Sequence, residues 1–89
     1  MKTKAKIMIV DDAEMNREIL MVILGDEYEY VQAENGRQAI HILQQDMNID
    51  LMLLDINMPE MNGFQVLDRM NTFHWINDIP VIMISSEEK

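Results

Sequence analysis

The sequence predicts an α/β domain with a parallel sheet covered by helices on both faces. Three runs of four apolar residues support this fold, since strands buried on both faces of a parallel sheet have this pattern: Ile7–Val10, Leu51–Leu54 and Val81–Ile84. Stretches with helical periodicity separate the runs, so strands and helices alternate. The chain has 89 residues, 48% hydrophobic and 26% charged, which fits one folded domain over residues 1–89.

Two elements follow the first strand. The first helix has four apolar residues at helical spacing, which predicts that they form its buried stripe: Met15, Ile19, Val22 and Ile23. Gly25 then supplies a C-terminal stop for this helix. Residues 28–33 mix Tyr and Val with Glu and Gln, and this half-polar pattern predicts an edge strand with one wetter face.

Two more helical stretches complete the alternation. The second helix, about residues 36–47, has a predicted apolar stripe of Ala39, Ile40, Leu43 and Met47. The third helix, about residues 63–73, has a stripe of Val66, Leu67 and Met70. Because each helix lies between two strands and forms a crossover, the strands are expected to run parallel.

Polar residues follow all three apolar strands at the point where each strand ends. Asp11 and Asp12 follow the first, Asp55 follows the second apolar run, and Ser85 follows the last. Because the carboxyl ends of parallel strands lie at one edge of a sheet, these residues are expected to converge in one crevice. Carboxylates at such short range repel one another unless a cation lies among them, and oxygen ligands suit Mg²⁺. A carboxylate that is bonded to no backbone amide is also a competent nucleophile toward phosphorus, with the Ser85 hydroxyl as a donor to a phosphoryl oxygen.

Each of these residues taken singly has a structural alternative. Asp12 is a suitable N-cap for the first helix, and Asp55 is a suitable first residue of a turn. The occurrence of polar residues at the ends of all three apolar strands favours a binding site. The structural alternatives are compatible with such a site, because one carboxylate can cap a helix while another binds a metal.

The loop after Asp55 strengthens the prediction of a cation site. Pro59 fixes its own φ and keeps Met58 out of the helical region. Asn62 and Gly63 permit positive φ before the third helix begins. The loop is therefore expected to be short and rigid, with backbone carbonyls that reach a cation beside Asp55.

Composition excludes several other classes of function. The net charge of −9 disfavours binding to nucleic acid or to an anionic membrane surface. The absence of Cys excludes disulfides and thiolate metal sites. The apolar runs are too short for a secretory signal or a membrane span, so the expected location is the cytoplasm.

At this point the sequence resembles the receiver (CheY-like) domain of bacterial two-component response regulators. The resemblance runs from about Lys6 to the end of the chain, with Glu34-Asn35-Gly36 before the second helix also in place. Its motifs are the acidic pair, the Asp-x-x-Met-Pro-x-x-x-Gly stretch and the strand-end hydroxyl, in that order: residues 7–12, 53–63 and 80–85.

The resemblance implies a role for each residue of the crevice. Asp55 resembles the phosphoacceptor, which takes a phosphoryl group from a phosphohistidine. Asp12 and the backbone carbonyl of Asn57 resemble direct Mg²⁺ ligands beside Asp55, and Asp11 resembles the outer acidic residue that acts through water. Ser85 resembles the hydroxyl that closes on the phosphoryl group. Such transfer depends on positioning and charge neutralisation.

The resemblance also implies partners and limits. The expected partner is a sensor histidine kinase or a phosphotransfer protein. Asn57 and Glu87 occupy positions whose side chains tune hydrolysis of the acyl phosphate. The chain is expected not to be an enzyme beyond self-phosphorylation and autodephosphorylation at Asp55.

The chain departs from the family pattern at its C-terminal end. The family has five strands in the order 2-1-3-4-5, whereas this sequence stops four residues after Ser85. We therefore expect the order 2-1-3-4, an incomplete receiver domain without α4-β5-α5, loss of the lysine at the end of the fifth strand, and impaired signalling output. Since the fourth strand would then be an uncovered apolar edge, we also expect self-association through it.

Two other functions are also compatible with the sequence. One is a non-catalytic, oligomerising fragment with a vestigial site. The other is a phosphatase or phosphotransferase with an Asp nucleophile, although such enzymes place a second Asp two residues after the first, where this chain has Ala13 or Glu14.

Overall fold

The structure, a computed structural model, describes residues 4–46 and 48–85. Four strands and three helices alternate along this part of the chain: β1 Lys6–Val10, α1 Glu14–Leu24, β2 Glu29–Ala33, α2 Gly36–Gln45, β3 Leu51–Asp55, α3 Gly63–Thr72 and β4 Val81–Ile84. A 3₁₀ turn, Trp75–Asn77, precedes β4. The strands form one parallel sheet in the order β2-β1-β3-β4, which confirms the predicted fold and order.

The register of the sheet brings the strand ends level. Val10 pairs with both Ala33 and Leu54, and Asp55 pairs with Ile84. The ladder between β1 and β2 continues one residue further, because the Asp11 N–H donates to the Ala33 carbonyl at 3.1 Å. The carboxyl ends of β1, β3 and β4 therefore lie along one edge of the sheet.

The core has two parts, one on each face of the sheet. The larger part lies between the sheet and the pair α2 and α3, and Met8, Met52, Leu54, Leu43 and Val66 are among its fully buried members. The smaller part lies under α1, where the buried strand residues are Ile7, Ile9 and Leu53. Alternation of side chains along each strand divides the apolar residues between these two layers.

The predicted buried stripe of α1 is wrong. Its four residues are exposed, with exposed fractions of 71%, 49%, 80% and 72% for Met15, Ile19, Val22 and Ile23. The residues of α1 that pack on the sheet are instead Leu20, Met21 and Leu24. Apolar residues surround most of this helix, so the sequence contains two stripes with helical spacing and periodicity does not choose between them.

The fourth strand also differs from its prediction. Its apolar run predicts burial on both faces, yet Ile82 is 51% exposed. Val81 and Met83 pack against the larger core, and Ile84 packs against the smaller one. Within the described residues β4 pairs with β3 alone, so it is an edge strand. A run of four apolar residues indicates that a strand can be buried on both faces. Actual burial also requires a neighbouring strand or helix that covers it.

The other element boundaries lie close to the predicted ones. Gly25 ends α1 with a φ of 96°, and its N–H donates to the Met21 carbonyl. Asn35 and Asn62 cap α2 and α3 by accepting from the N–H groups of Gln38 and Gln65. The predicted stripe residue at position 47 lies outside the described residues.

A search of the described helices finds none that is long and apolar enough to cross a membrane.

Candidate functional site

Three carboxylates meet where β1 and β3 end. One oxygen from each of Asp11, Asp12 and Asp55 lies within 4.8 Å of the others. Asp11 and Asp55 are buried, with exposed fractions of 3% and 1%, whereas Asp12 is exposed. The three carboxylates therefore converge, as the strand ends predict, and two of them are buried while the third faces solvent.

The loop between β1 and α1 holds Asp11 in place. Its Oδ1 accepts a hydrogen bond from the Ala13 N–H at 2.9 Å, and the Asn16 amide approaches both carboxylate oxygens at 3.5 Å. The residue at the N-cap of α1 is Ala13, without a capping side chain. The alternative role of Asp12 as the N-cap is therefore wrong, and its carboxylate belongs to the cluster.

Arg17 is a residue of this region that the sequence interpretation missed. Its Nη1 donates to the backbone carbonyl of Asp11 at 2.6 Å, and its Nε donates to Gln32 Oε1 at 2.9 Å. It thereby ties α1 to the ends of β1 and β2. Arg17 precedes Leu20 and Leu24 by three and seven residues and shares their face of α1, but periodicity does not identify that face as the buried one, so no sequence signal marked this role.

The loop between β3 and α3 positions Asp55. The Asn57 N–H donates to Asp55 Oδ1 at 3.2 Å, so one oxygen of this carboxylate is bonded to a backbone amide, unlike the free nucleophile expected from the sequence. The Gly63 N–H donates to the Ile56 carbonyl at 3.0 Å. Asn62 and Gln65 form a capping box that begins α3 directly after the loop. These hydrogen bonds hold the loop against the end of β3 and the start of α3.

The positive φ in this loop does not lie where the sequence predicted it. Asn62 has a φ of −79°, and Gly63 is not among the residues with positive φ, whereas Glu60 has a φ of 70°. Gly63 is required for space: a Cβ at this position would lie 2.5 Å from the Asp55 carbonyl oxygen. The glycine therefore allows α3 to begin against the end of β3.

Ser85 follows β4 at the same edge of the sheet. The preceding residue, Ile84, accepts a hydrogen bond at its carbonyl from the Ile56 N–H at 2.9 Å, which places the end of β4 beside the end of β3. Ser85 itself is exposed. Glu87, the second residue expected to tune hydrolysis, lies outside the described residues.

The carboxylates of the cluster influence one another. Burial raises the pKa of the Asp11 carboxyl above its usual value, and the negative charges of Asp55 and Asp12 raise it further. The Ala13 N–H and the Asn16 amide act in the opposite direction by stabilising the charged form. A divalent cation would remove the repulsion, and a set of carboxylate oxygens without His or Cys is the donor set that Mg²⁺ prefers.

Comparison with known proteins decides the family. The family described as "Response regulator receiver domain" matches residues 7–89. The chain belongs to this family.

Sequence relatives of this receiver domain include regulators from plants and bacteria. It is 32% identical to the two-component response regulator ORR3 of Oryza sativa subsp. indica over 91% of this chain and 63% of that protein. It is 41% identical to the response regulator RR06 of Streptococcus pneumoniae over 90% of this chain and 36% of that protein. The chain thus spans less than two thirds of the length of either relative.

Solved structures share the receiver fold. Chemotaxis protein CheY4 of Vibrio cholerae aligns with a TM-score of 0.83 and 30% identity, over 97% of this chain and 72% of that chain. Response regulator TrrA of Thermotoga maritima, solved in complex with Mg²⁺-BeF, aligns with a TM-score of 0.79 and 31% identity, over 94% of this chain and 71% of that chain.

Proposed function

We propose that this receiver domain accepts a phosphoryl group on Asp55 in a two-component phosphorelay. The observation that carries the proposal is the meeting of the Asp11, Asp12 and Asp55 carboxylates within 4.8 Å at the end of β3. Asp12, Asp55 and the backbone carbonyl of Asn57 would hold Mg²⁺ directly, with Asp11 acting through water. When bound, the cation would supply the positive charge that offsets the charge of the phosphoryl oxygens.

The chemistry needs one bond to form and one to break. A carboxylate oxygen of Asp55 attacks phosphorus while the P–N bond of a phosphohistidine breaks, and the imidazole leaves with a proton. The Asn57 N–H, 3.2 Å from Asp55 Oδ1, orients the nucleophile. The Ser85 hydroxyl then donates to a phosphoryl oxygen. Hydrolysis of the acyl phosphate returns the carboxylate, so the domain turns over nothing beyond its own phosphoryl group.

The exposed stripe of α1 is the proposed docking surface for the protein that carries the phosphohistidine. Met15 lies three residues after Asp12, so the stripe begins beside the acidic cluster and extends away from it along the helix. Four large apolar side chains in one stripe, each about half exposed or more, suit the apolar face of a partner helix. A histidine kinase or a phosphotransfer protein with its histidine on such a helix would meet both the stripe and Asp55.

Self-association through β4 is a second proposed interaction. The carbonyls of Pro80 and Ile84 accept hydrogen bonds from β3, so the alternate residues Val81 and Met83 direct their backbone groups toward the open edge. Ile82 adds an apolar side chain that is 51% exposed. Pairing with β4 of a second copy would satisfy these groups.

Intact-mass spectrometry with a small-molecule phosphodonor tests the proposed function. The wild-type chain should gain the mass of one phosphoryl group when Mg²⁺ is present and should not gain it when a chelator removes Mg²⁺ before labelling. Asp55→Asn should not be labelled. Asp68→Asn, a matched change of an exposed carboxylate on α3, should be labelled like the wild type.

Two results would contradict the proposal. A wild-type chain that stays unlabelled with and without Mg²⁺ would favour a vestigial site. Sustained hydrolysis of a phosphate ester that survives Asp55→Asn and is lost in Asp11→Asn would favour a phosphatase instead.

A further inference from the structure

A groove of about 340 Å³ separates α2 from α3 on the surface of the domain. Six residues line it: Arg37, Ile40, His41, Gln44, Met61 and Arg69. None of the three clustered carboxylates is among them. The groove is therefore distinct from the proposed phosphoacceptor site.

The cationic side chains that line the groove differ from the other described cations in having no hydrogen-bond or ion-pair partner among the described residues. Among the Lys and Arg residues that the structure describes, Lys4 donates to the Asp26 carbonyl, Lys6 pairs with Asp46, and Arg17 bonds the Asp11 carbonyl and Gln32.

The two remaining cations, Arg37 and Arg69, have no hydrogen-bond or ion-pair acceptor within residues 4–46 and 48–85, and both line the groove. No Asp or Glu lines it, although the chain carries a net charge of −9. A local cationic site thus lies on an acidic protein.

The two walls of the groove come from different helices. On α2, Arg37, Ile40, His41 and Gln44 are spaced by three and four residues, so their side chains share one face of the helix. On α3, Arg69 also lines the groove, and like Arg37 it is exposed to solvent.

The floor of the groove is apolar. Met61 is seated against Gly36, because a Cβ added to that glycine would lie 2.9 Å from the Met61 Cγ. Ile40 is nearly buried, with an exposed fraction of 6%. The groove therefore offers cationic walls above an apolar base.

Helix stability does not account for Arg37. A cation in the first turn of a helix is repelled by the positive end of the helix dipole, and Arg37 is the second residue of α2. Arg69 is in the last turn of α3, where the dipole favours it. The unfavourable position of Arg37 makes sense if its guanidinium serves a ligand in the groove.

We propose that this groove binds a small organic molecule that carries a phosphate or carboxylate group. Two guanidinium groups that line one groove suit an oxyanion, because each can donate a pair of hydrogen bonds to it. The Gln44 amide and the His41 ring supply further polar contacts, and Ile40 and Met61 contact the apolar part of the molecule. The volume is at the lower end of the range for small-molecule sites.

Titration of the ¹⁵N-labelled 89-residue chain without Mg²⁺ tests the proposal by NMR. Phenyl phosphate and benzoate are the two probes, and they distinguish phosphate from carboxylate as the preferred group. At least one should cause saturable shifts of amides in α2 and α3, while uncharged phenol should not. Binding should persist in Asp55→Asn, so the result is independent of phosphorylation.

Variants separate binding in the groove from a general effect of charge. Arg37→Gln and Arg69→Gln should each weaken binding by about tenfold, since each removes charge-assisted hydrogen bonds. Arg37→Lys keeps the charge without the planar fork and should fall between the wild type and Arg37→Gln. Lys4→Gln makes the same change of net charge elsewhere and should leave the affinity unchanged.

The proposal is overturned if neither probe gives saturable shifts. It is also overturned if Lys4→Gln weakens binding as much as Arg37→Gln does, because the attraction would then be nonspecific. Far-UV circular dichroism confirms that each variant is folded, and Arg37→Lys carries the test if a Gln variant does not fold.

Discussion

Gly63 lies so close to Asp55 that a Cβ on the glycine would stand 2.5 Å from the Asp55 carbonyl oxygen and 3.0 Å from the Ile56 Cα. Both atoms belong to the backbone, which cannot move away as the end of a flexible side chain can. The first residue of α3 is thus packed directly against the end of β3. Any residue larger than glycine must shift either the helix or the strand that carries the proposed phosphoacceptor.

Gly63→Ala should therefore destabilise the domain by about 1–3 kcal/mol, the usual cost of overpacking. It should also slow labelling of Asp55 by a small phosphodonor, because the carboxylate moves with its backbone. Urea unfolding and intact-mass time courses measure the two effects. Gly36→Ala is the comparison: an added Cβ there meets side-chain atoms of Val66 and Met61, at 2.8 and 2.9 Å, so side chains rather than backbone must shift and the loss should be smaller. Equal losses of stability in both variants would contradict this explanation.

Asp11→Asn should stabilise the domain near neutral pH in the absence of Mg²⁺. The pKa of Asp11 is raised in the folded state by burial and by its acidic neighbours, so the folded protein holds this proton more tightly than the unfolded chain does. The stability of the wild type therefore falls as the pH rises from the unfolded value of 3.8 through the raised folded pKa.

The advantage of Asp11→Asn should accordingly be absent below the unfolded pKa of the carboxyl and should grow as the pH rises through that window. Urea unfolding across a pH series measures it, with Asp68→Asn as the control. A constant difference at every pH would argue against the proposed cause. Mg²⁺ should stabilise the wild type more than the variant, because a ligand of the folded state adds to its stability.

Ile19→Glu should impair docking without harming the fold. Ile19 is 49% exposed on α1, so the change should alter the free energy of unfolding by no more than about 0.5 kcal/mol. Phosphotransfer from a phosphohistidine protein should slow by roughly tenfold, since about 1.4 kcal/mol of docking energy is lost, while labelling by a small phosphodonor should not change. Stopped-flow phosphotransfer assays compare the two donors. Equal slowing with both donors would place the defect in the acidic cluster instead.

Ile82→Lys should reduce self-association through β4. The substitution puts a charge on a side chain that is 51% exposed at the open edge of the sheet, a common means of preventing strand pairing. Sedimentation velocity should show the wild type associating with concentration and the variant remaining monomeric. Phe64→Lys, which alters a side chain on α3 that is 61% exposed, should associate like the wild type. A wild type that is monomeric at high micromolar concentration would end the proposal.

Sequence patterns sufficed for the features that depend on short stretches of chain. The strand ends at Asp11 and Asp55 follow from apolar runs, and their meeting follows from the rule that parallel strands end at one edge. Gly25 was predictable as a helix end because its conformation is a local property.

Features that depend on packing were not predictable. Ile19 and Leu20 lie next to each other in α1, yet Ile19 is exposed and Leu20 packs against the sheet. Similarly, Arg37 and Arg69 line one groove only because α2 and α3 lie side by side, and their separation in the sequence gives no sign of this. Ile82 is exposed on β4, which pairs with β3 alone among the described strands, and this edge position is a property of the sheet rather than of the local sequence.

The register between β1 and β3 has a consequence for how the domain folds. Val10 opposite Leu54 puts Asp11 next to the proposed phosphoacceptor, and a slip of one residue would turn Asp55 to the opposite face of the sheet. Only a chain in which β1 and β3 pair in the native register can then bring the full set of oxygen ligands together. A bound divalent ion would therefore stabilise the native register of β1 and β3 relative to a register shifted by one residue, and it would do so while the chain folds.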